Sequence, residues 1–154
     1  MALAGPGEER KSVLFACTLN CIRSPIAAAI LDHLAGERVT VRSAGVRAGL
    51  PDPYAVAVMD EIGIDLSEHE PQSLAIIGDE LFDVIISLSP EAHHHALELT
   101  RTMAAEVEYW PTMDCSLALS QPKREHIIAA YRGVRDDLFH RIRTRFALDG
   151  GPTV

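Results

Sequence analysis

The chain has 154 residues, which is enough for one domain with a full hydrophobic core. Hydrophobic residues make up 47% and charged residues 23%, as in ordinary globular proteins, and the formal net charge of −8 argues against a broad surface for nucleic acid or an anionic membrane. Three cysteines, an odd number, in a chain without a secretory apolar stretch argue against a disulfide scaffold. We therefore expect a cytoplasmic protein with reduced thiols.

Strands and helices are predicted to alternate along the chain. Short apolar runs bounded by turn residues predict strands, and apolar residues at helical spacing predict helices. In chain order, the predicted elements are a strand over 12–17, a helix over 24–35, a strand over 39–43, a helix over 53–62, a strand over 83–88, a helix over 90–100, a strand over 106–110 and a helix over 124–146.

This alternation predicts an α/β fold in three layers, with a parallel sheet covered by helices on both faces. We expect residues 12–148 to form this single domain, residues 1–11 to be a disordered leader and residues 149–154 to be a frayed tail. In such folds, ligands bind beyond the carboxyl ends of the strands. The segment between the first strand and the first helix lies at such an end.

That segment contains Cys17, five further residues, Arg23 and then Ser24 before Pro25. The first N–H groups of a helix are unpaired and its dipole is positive there, so the segment can bind an oxyanion such as phosphate. Arg23 can bind two of the oxygens. The same positive field stabilises a thiolate at Cys17, and Ser24 is placed to donate a hydrogen bond to it. This arrangement predicts phosphoryl transfer through a phosphocysteine.

Each residue taken alone has an ordinary structural interpretation. A cysteine at the end of a buried strand is usually a small core residue, and Ser24 before Pro25 is typical of a helix N-cap. The combination of strand, Cys-x5-Arg-Ser-Pro and helix is much more specific than its parts.

At these residues, "VLFACTLNCIRSPIAAA" resembles the low-molecular-weight protein tyrosine phosphatases, a family that includes thioredoxin-coupled arsenate reductases on the same fold. The resemblance continues in "SAGV", "DPYAVAVMDEIGIDLSEH", "FDVIISLS", "YWPTMD" and "YRGVRDDLFHRI", and so covers nearly all of residues 12–147. It implies a four-stranded parallel sheet in the order 2-1-3-4.

The resemblance also implies a role for each matching residue. Cys17 corresponds to the nucleophile, Arg23 to the phosphate-binding arginine and Asp114 to the general acid, and Ser43 corresponds to the serine that supports the loop through its asparagine. The remaining phosphate-binding positions are Thr18, Leu19, Asn20, Cys21, Ile22 and Ser24. No metal and no cofactor is implied.

Several positions depart from the family pattern. Leu19 stands where the family has glycine, and it would be strained if that position needs a positive φ. The family's second cysteine directly precedes the arginine, whereas here Ile22 does, and Cys21 is the candidate partner for a disulfide with Cys17 under oxidation. Cys115 stands where a proline usually follows the acid.

The sequence therefore predicts a hydrolase of phosphate monoesters that resembles a protein tyrosine phosphatase, with a phosphorylated protein or a small phosphate monoester as substrate. One alternative is an oxyanion-binding protein with degraded catalysis. The other is an arsenate reductase that uses an external thiol partner such as thioredoxin or glutaredoxin. Arsenate reductases of this family need cysteines just after the third strand, where this chain has Ser89 instead.

Overall fold

A computed structural model describes residues 2–148 of the chain. The predicted tail, residues 149–154, lies outside the described residues. The strands are β1 (Lys11–Cys17), β2 (Val39–Gly45), β3 (Val84–Ser87) and β4 (Glu106–Tyr109). The helices are α1 (Arg23–Ala35), α2 (Pro53–Asp60), α3 (Leu74–Ile77), α4 (Pro90–Leu99), a 3₁₀ helix (Cys115–Ser120) and α5 (Arg124–Arg145).

The four strands form one parallel sheet in the order β2-β1-β3-β4, so the predicted order is confirmed. In β1, Phe15 lies opposite Ser43 of β2 and Ile86 of β3. Cys17 lies opposite Gly45. The carboxyl ends of the two central strands therefore meet at one edge, where the segment after β1 begins.

Alternate residues of the central strands are buried on opposite faces of the sheet, because side-chain direction in a strand has a period of two. Val13 and Phe15 belong to the larger core cluster, which α1, α2 and α5 cover. Leu14 and Ile85 belong to the smaller cluster on the side of α3 and α4. The predicted helical layers on both faces are thus confirmed.

Two short elements were absent from the prediction. Helix α3 has only four residues, too few to show a helical period in the sequence, although Leu74 and Ile77 pack against the smaller core cluster. Asp114 caps the start of the 3₁₀ helix, because its side chain accepts a hydrogen bond from the backbone N–H of Ser116. Among residues 2–148, no helix combines the length and apolar character that crossing a membrane requires.

The predicted domain limits stay predictions, although part of the predicted leader makes contacts. Lys11 is the first residue of β1, and Ala4 is buried, with its N–H 3.4 Å from the carbonyl of Arg38. The Arg10 guanidinium donates to the carbonyl of Val39 at 3.0 Å. These contacts join the segment before β1 to the start of β2.

Candidate active site

The segment from Cys17 to Ser24, here called the anion loop, is held in place by the chain that follows β2. Backbone N–H groups of Val46, Arg47 and Gly49 donate to successive carbonyls of the anion loop at 2.9 to 3.0 Å. Gly45 permits this close approach, because a Cβ there would lie 2.7 Å from the backbone nitrogen of Asn20. The loop is thus fixed at the carboxyl edge of the sheet.

Cys17 and Ser24 are both buried, and Cys17 Sγ lies 2.9 Å from Ser24 Oγ. The Asn20 side-chain amide donates to the same Ser24 oxygen at 2.8 Å. The hydroxyl hydrogen of Ser24 has two acceptors within reach, the Cys17 sulfur at 2.9 Å and the carbonyl oxygen of Ala44 at 3.4 Å, and the sulfur is the nearer. A hydrogen bond of this kind stabilises the thiolate form of Cys17.

Ser24 therefore does not act as the N-cap of α1. The helix begins at Arg23, and its N-cap residue, Ile22, makes no side-chain capping bond. The first N–H groups of α1 are left without side-chain acceptors from the cap, which suits an anion at this end.

Asn20 is the residue that shapes the loop. Its φ is +56°, a left-handed conformation that asparagine tolerates better than most residues. The structure places this positive φ at Asn20 and not at Leu19, so the condition for strain at Leu19 is not met. Leucine can follow Thr18 here without a backbone penalty.

The Asn20 side chain is fully buried and makes three hydrogen bonds. Besides the bond to Ser24, its amide donates to Ser43 Oγ at 3.0 Å, and its carbonyl oxygen accepts from the backbone N–H of Gln72 at 2.9 Å. His69 Nε2 donates to the Asn20 backbone carbonyl at 2.7 Å. Sequence reasoning missed His69 and Gln72, which come from a loop remote in the chain, and only the quoted "DLSEH" stretch pointed near them.

Arg23 of the anion loop and Asp114 of the loop after β4 line the same cavity. Arg23 Nη1 donates to the carbonyl of Thr112 at 3.1 Å, which ties the loop after β4 to the anion loop. One carboxyl oxygen of Asp114 accepts from the N–H of Ser116 at 3.0 Å and from its hydroxyl at 2.6 Å. The other oxygen accepts no hydrogen bond from residues 2–148, so it can face a ligand.

A cavity of about 100 Å³ brings the predicted catalytic residues together. The lining residues are Cys17, Thr18, Leu19, Cys21, Ile22, Arg23, Asp114 and Ser116. Of the predicted positions, Asn20, Ser24 and Ser43 lie behind this surface and support it through the hydrogen bonds described above.

The two other cysteines lie in environments that keep them as thiols. Burial of the thiol is the main cause that raises the pKa of Cys21 to about 11, and the neighbouring Cys17 is the second. Burial is also the main cause that raises the pKa of Cys115 to about 12, and the adjacent Asp114 carboxylate is the second. Because both pKa values lie well above neutral pH, neither Cys21 nor Cys115 competes with Cys17 as a thiolate there.

Ser89 is a structural residue of the site. Its hydroxyl accepts from Thr18 Oγ1 at 3.0 Å and from the backbone N–H of Ala92 at 3.2 Å, where it caps α4. The first contact joins the end of β3 to the anion loop. Ser89, which stands where the resemblance implies a relay cysteine, thus has a structural role in this chain.

A buried pair beneath the site was also missed. Tyr131 of α5 is fully buried, and its hydroxyl donates to Asp52 Oδ2 at 2.8 Å. The other Asp52 oxygen caps α2 by accepting from the N–H of Tyr54 at 2.9 Å. Burial and the Asp52 carboxylate both raise the pKa of Tyr131. The pair fixes α5 against the start of α2.

Comparison with known proteins places this geometry in a family. The family described as low molecular weight phosphotyrosine protein phosphatase matches residues 12–147. An arsenate reductase from Halalkalibacterium halodurans is 33% identical over 140 residues, covering 88% of this chain and 94% of the relative. A probable low molecular weight protein-tyrosine-phosphatase, EpsP, from Ralstonia solanacearum is 46% identical over 66 residues, covering 42% of this chain and 46% of the relative.

The tyrosine phosphatase amsI of Erwinia amylovora shares the fold. Its crystal structure superposes with a TM-score of 0.69 over 94% of this chain and 99% of the other, at 22% identity. Because the family match spans nearly all of the described residues and the anion loop lies where the family pattern requires it, the chain belongs to the low molecular weight phosphotyrosine protein phosphatase family, which has both phosphatases and arsenate reductases among its members.

Proposed function

We propose that the protein hydrolyses phosphate monoesters of the phosphotyrosine type through a phosphocysteine at Cys17. The observation that carries this proposal is the position of the Cys17 sulfur, 2.9 Å from the Ser24 hydroxyl, in a cavity that Arg23 and Asp114 also line. A nucleophile, an oxyanion-binding cation and a carboxyl group therefore face one small volume.

In the first step, the Cys17 thiolate attacks phosphorus in line with the ester oxygen. The S–P bond forms with the sulfur's electron pair, the P–O ester bond breaks, and the leaving oxygen takes a proton from Asp114. Arg23 and the backbone N–H groups of the anion loop bind the equatorial oxygens, where charge develops. The Ser24 hydroxyl stabilises the Cys17 thiolate both as the nucleophile of this step and as the leaving group of the next.

In the second step, Asp114 acts as a base. It takes a proton from a water molecule, the water oxygen attacks phosphorus, and the S–P bond breaks to return the Cys17 thiolate and release inorganic phosphate. The carboxyl oxygen of Asp114 that is not bound to Ser116 is suited to both proton transfers.

Arsenate reduction is the second candidate, and one observation favours it besides the relatives named above. Cys21 lines the same cavity as Cys17. After arsenate bonds to Cys17 with loss of water, Cys21 would give up its proton to the departing arsenic group and attack the Cys17 sulfur as a thiolate. A disulfide would form, and the two electrons would pass to arsenic to give arsenite. Because Ser89 takes the place of a relay cysteine, regeneration of Cys17 would require an external thiol such as thioredoxin or glutaredoxin.

Hydrolysis of p-nitrophenyl phosphate, measured with a chelator present, tests the proposal. We expect turnover by the wild type, none by Cys17→Ser, and a fall of about 10²- to 10⁴-fold for Asp114→Asn. Asp65→Asn is a matched control, because Asp65 makes the same pair of bonds to Ser67 that Asp114 makes to Ser116 but lies outside the cavity.

The same samples separate the alternatives. Arsenite production with thioredoxin or glutaredoxin, without hydrolysis of any phosphate ester, would favour the reductase. Phosphate binding without turnover of either substrate would favour an oxyanion-binding protein. If Asp114→Asn were as active as Asp65→Asn, Asp114 would have no part in the mechanism.

A further inference from the structure

The loop between α2 and α3 is attached to the outer side of β2, an edge strand of the sheet. Ser73 pairs in parallel with Gly45, and the backbone N–H of Gly45 donates to the carbonyl of Gln72 at 2.9 Å. The side chain of Gln72 adds a second bond to the same strand, since its Nε2 donates to the carbonyl of Ser43 at 2.9 Å. Edge strands leave such carbonyls without a strand partner, and Gln72 supplies the donor.

Gln72 thereby closes a ring of three hydrogen bonds with Ser43 and Asn20. The Asn20 amide donates to Ser43 Oγ, the Ser43 carbonyl accepts from the Gln72 side chain, and the Gln72 backbone N–H donates to Asn20 Oδ1. Any residue except proline has the backbone N–H. The bond to the Ser43 carbonyl, in contrast, depends on the side chain at position 72.

This ring fixes the direction in which the Asn20 side-chain amide points. Its oxygen faces the Gln72 N–H, and its nitrogen therefore faces the Ser24 hydroxyl, at 2.8 Å. In the opposite orientation the amide nitrogen would face another N–H, and two buried donors would lie against each other without an acceptor. Ser24 in turn lies 2.9 Å from the Cys17 sulfur. Gln72 is thus connected to the sulfur through two intervening side chains.

A second cavity, of about 320 Å³, reaches this ring. Its lining includes Ser43, His69 and Gln72 but none of the residues that line the active-site cavity. Water in the second cavity can bond to the Ser43 carbonyl when the Gln72 amide is removed, so the fold should survive the change. Water cannot replace the covalent link between the Gln72 side chain and its backbone N–H. The loss therefore falls on the position of that N–H against Asn20.

We propose that Gln72 is a positioning residue of the active site. It holds the Asn20 amide in the orientation that supports Ser24, and through them it raises the reactivity of the Cys17 thiolate. This inference rests on the proposed function and adds a residue to the same site. Gln72 does not line the active-site cavity, so its role involves no contact with the substrate.

The test uses two substitutions that remove the bond to Ser43 in different ways. Gln72→Met keeps the length of the side chain without its donor, and Gln72→Asn keeps the amide on a side chain one methylene shorter. Alkylation of Cys17 by iodoacetamide near neutral pH and kcat/KM for p-nitrophenyl phosphate should both fall by about fivefold, the factor for one neutral hydrogen bond. The pH profile of alkylation should move to higher pH. Gln121→Met is the matched control, exposed at the end of the 3₁₀ helix, and should keep the wild-type values.

A double-variant comparison shows whether the effect passes through Ser24. Gln72→Met should slow alkylation by less than about twofold in a Ser24→Ala background, because the hydroxyl through which it acts is gone. An equal fall in both backgrounds would overturn the proposal, as would folded Gln72 variants that react as fast as Gln121→Met.

Circular dichroism identifies the folded variants, and either Gln72 variant alone is enough for the comparison. If neither folds, Gln72 is needed for the fold rather than for positioning, and the proposal is wrong. If the wild type hydrolyses no ester, the proposed function fails, and the alkylation of Cys17 decides the role of Gln72 by itself.

Discussion

Replacing Asn20 should damage both stability and catalysis, because this side chain braces the anion loop internally and connects it to β2 and to the loop that carries Gln72. Asn20→Ala removes the hydrogen bonds to Ser24, Ser43 and the N–H of Gln72. Each neutral hydrogen bond contributes about 1 kcal/mol, and holding alanine at a positive φ adds about 1 kcal/mol. The free energy of unfolding should therefore fall by about 4 kcal/mol, a large part of the total for a small domain.

Two further substitutions at the same position separate these contributions. Asn20→Gly loses the same hydrogen bonds but adopts the φ of +56° without strain, so it should be more stable than Asn20→Ala by about 0.5 to 1 kcal/mol. Asn20→Asp keeps the shape, cannot donate to Ser24, and places a negative charge close to the Cys17 thiolate. Among Asn20 variants of equal stability, Asn20→Asp should have the lowest kcat/KM.

Urea unfolding monitored by circular dichroism, together with p-nitrophenyl phosphate hydrolysis below the unfolding transition, measures these effects. A loss of less than about 1 kcal/mol for Asn20→Ala would show that the three bonds contribute nothing net. Equal stability of the alanine and glycine variants would show that the left-handed conformation is unimportant. Either result refutes the reasoning.

Three other changes have expected outcomes. Ser24→Ala removes the hydroxyl next to Cys17, and alkylation of Cys17 by iodoacetamide near neutral pH should slow by about tenfold, as followed by mass spectrometry. Tyr131→Phe removes the donor to Asp52 and should lower the free energy of unfolding by about 1 to 2 kcal/mol, while an unchanged value would contradict the role of that bond. Because the folded-state pKa of Cys115 is raised to about 12, the folded protein holds a proton that the unfolded chain loses first, so stability should fall as the pH rises from about 9 to 12. Urea unfolding across that range should show a smaller fall for Cys115→Ala than for the wild type.

The parallel sheet and both helical layers could be predicted, because buried parallel strands and amphipathic helices leave strong local patterns. The strand order came from the family resemblance. Helix α3 could not, since four residues are too few to show a helical period. The predicted start of α1, at residue 24, was one residue too late. A serine before proline indicates an N-cap, but Ser24 bonds to Cys17 and Asn20 instead.

Most of the cavity could also be predicted, because its residues are consecutive in the anion loop. The supporting contacts from His69, Gln72 and Asp52 could not, since they depend on how loops far apart in the chain meet at the edge of the sheet. Whether Leu19 is strained could be decided only from the backbone conformation of the loop. Only the φ of Asn20 shows which loop residue takes the left-handed conformation.

Detection of the covalent intermediate tests the proposed phosphatase mechanism most directly. The enzyme is mixed with excess p-nitrophenyl phosphate, quenched in acid within one turnover, digested and analysed by mass spectrometry, with Cys17→Ala as the control. We expect one added phosphoryl group on the peptide that contains Cys17 and none in the control. Turnover by the wild type with no phosphoryl group on that peptide would contradict the mechanism.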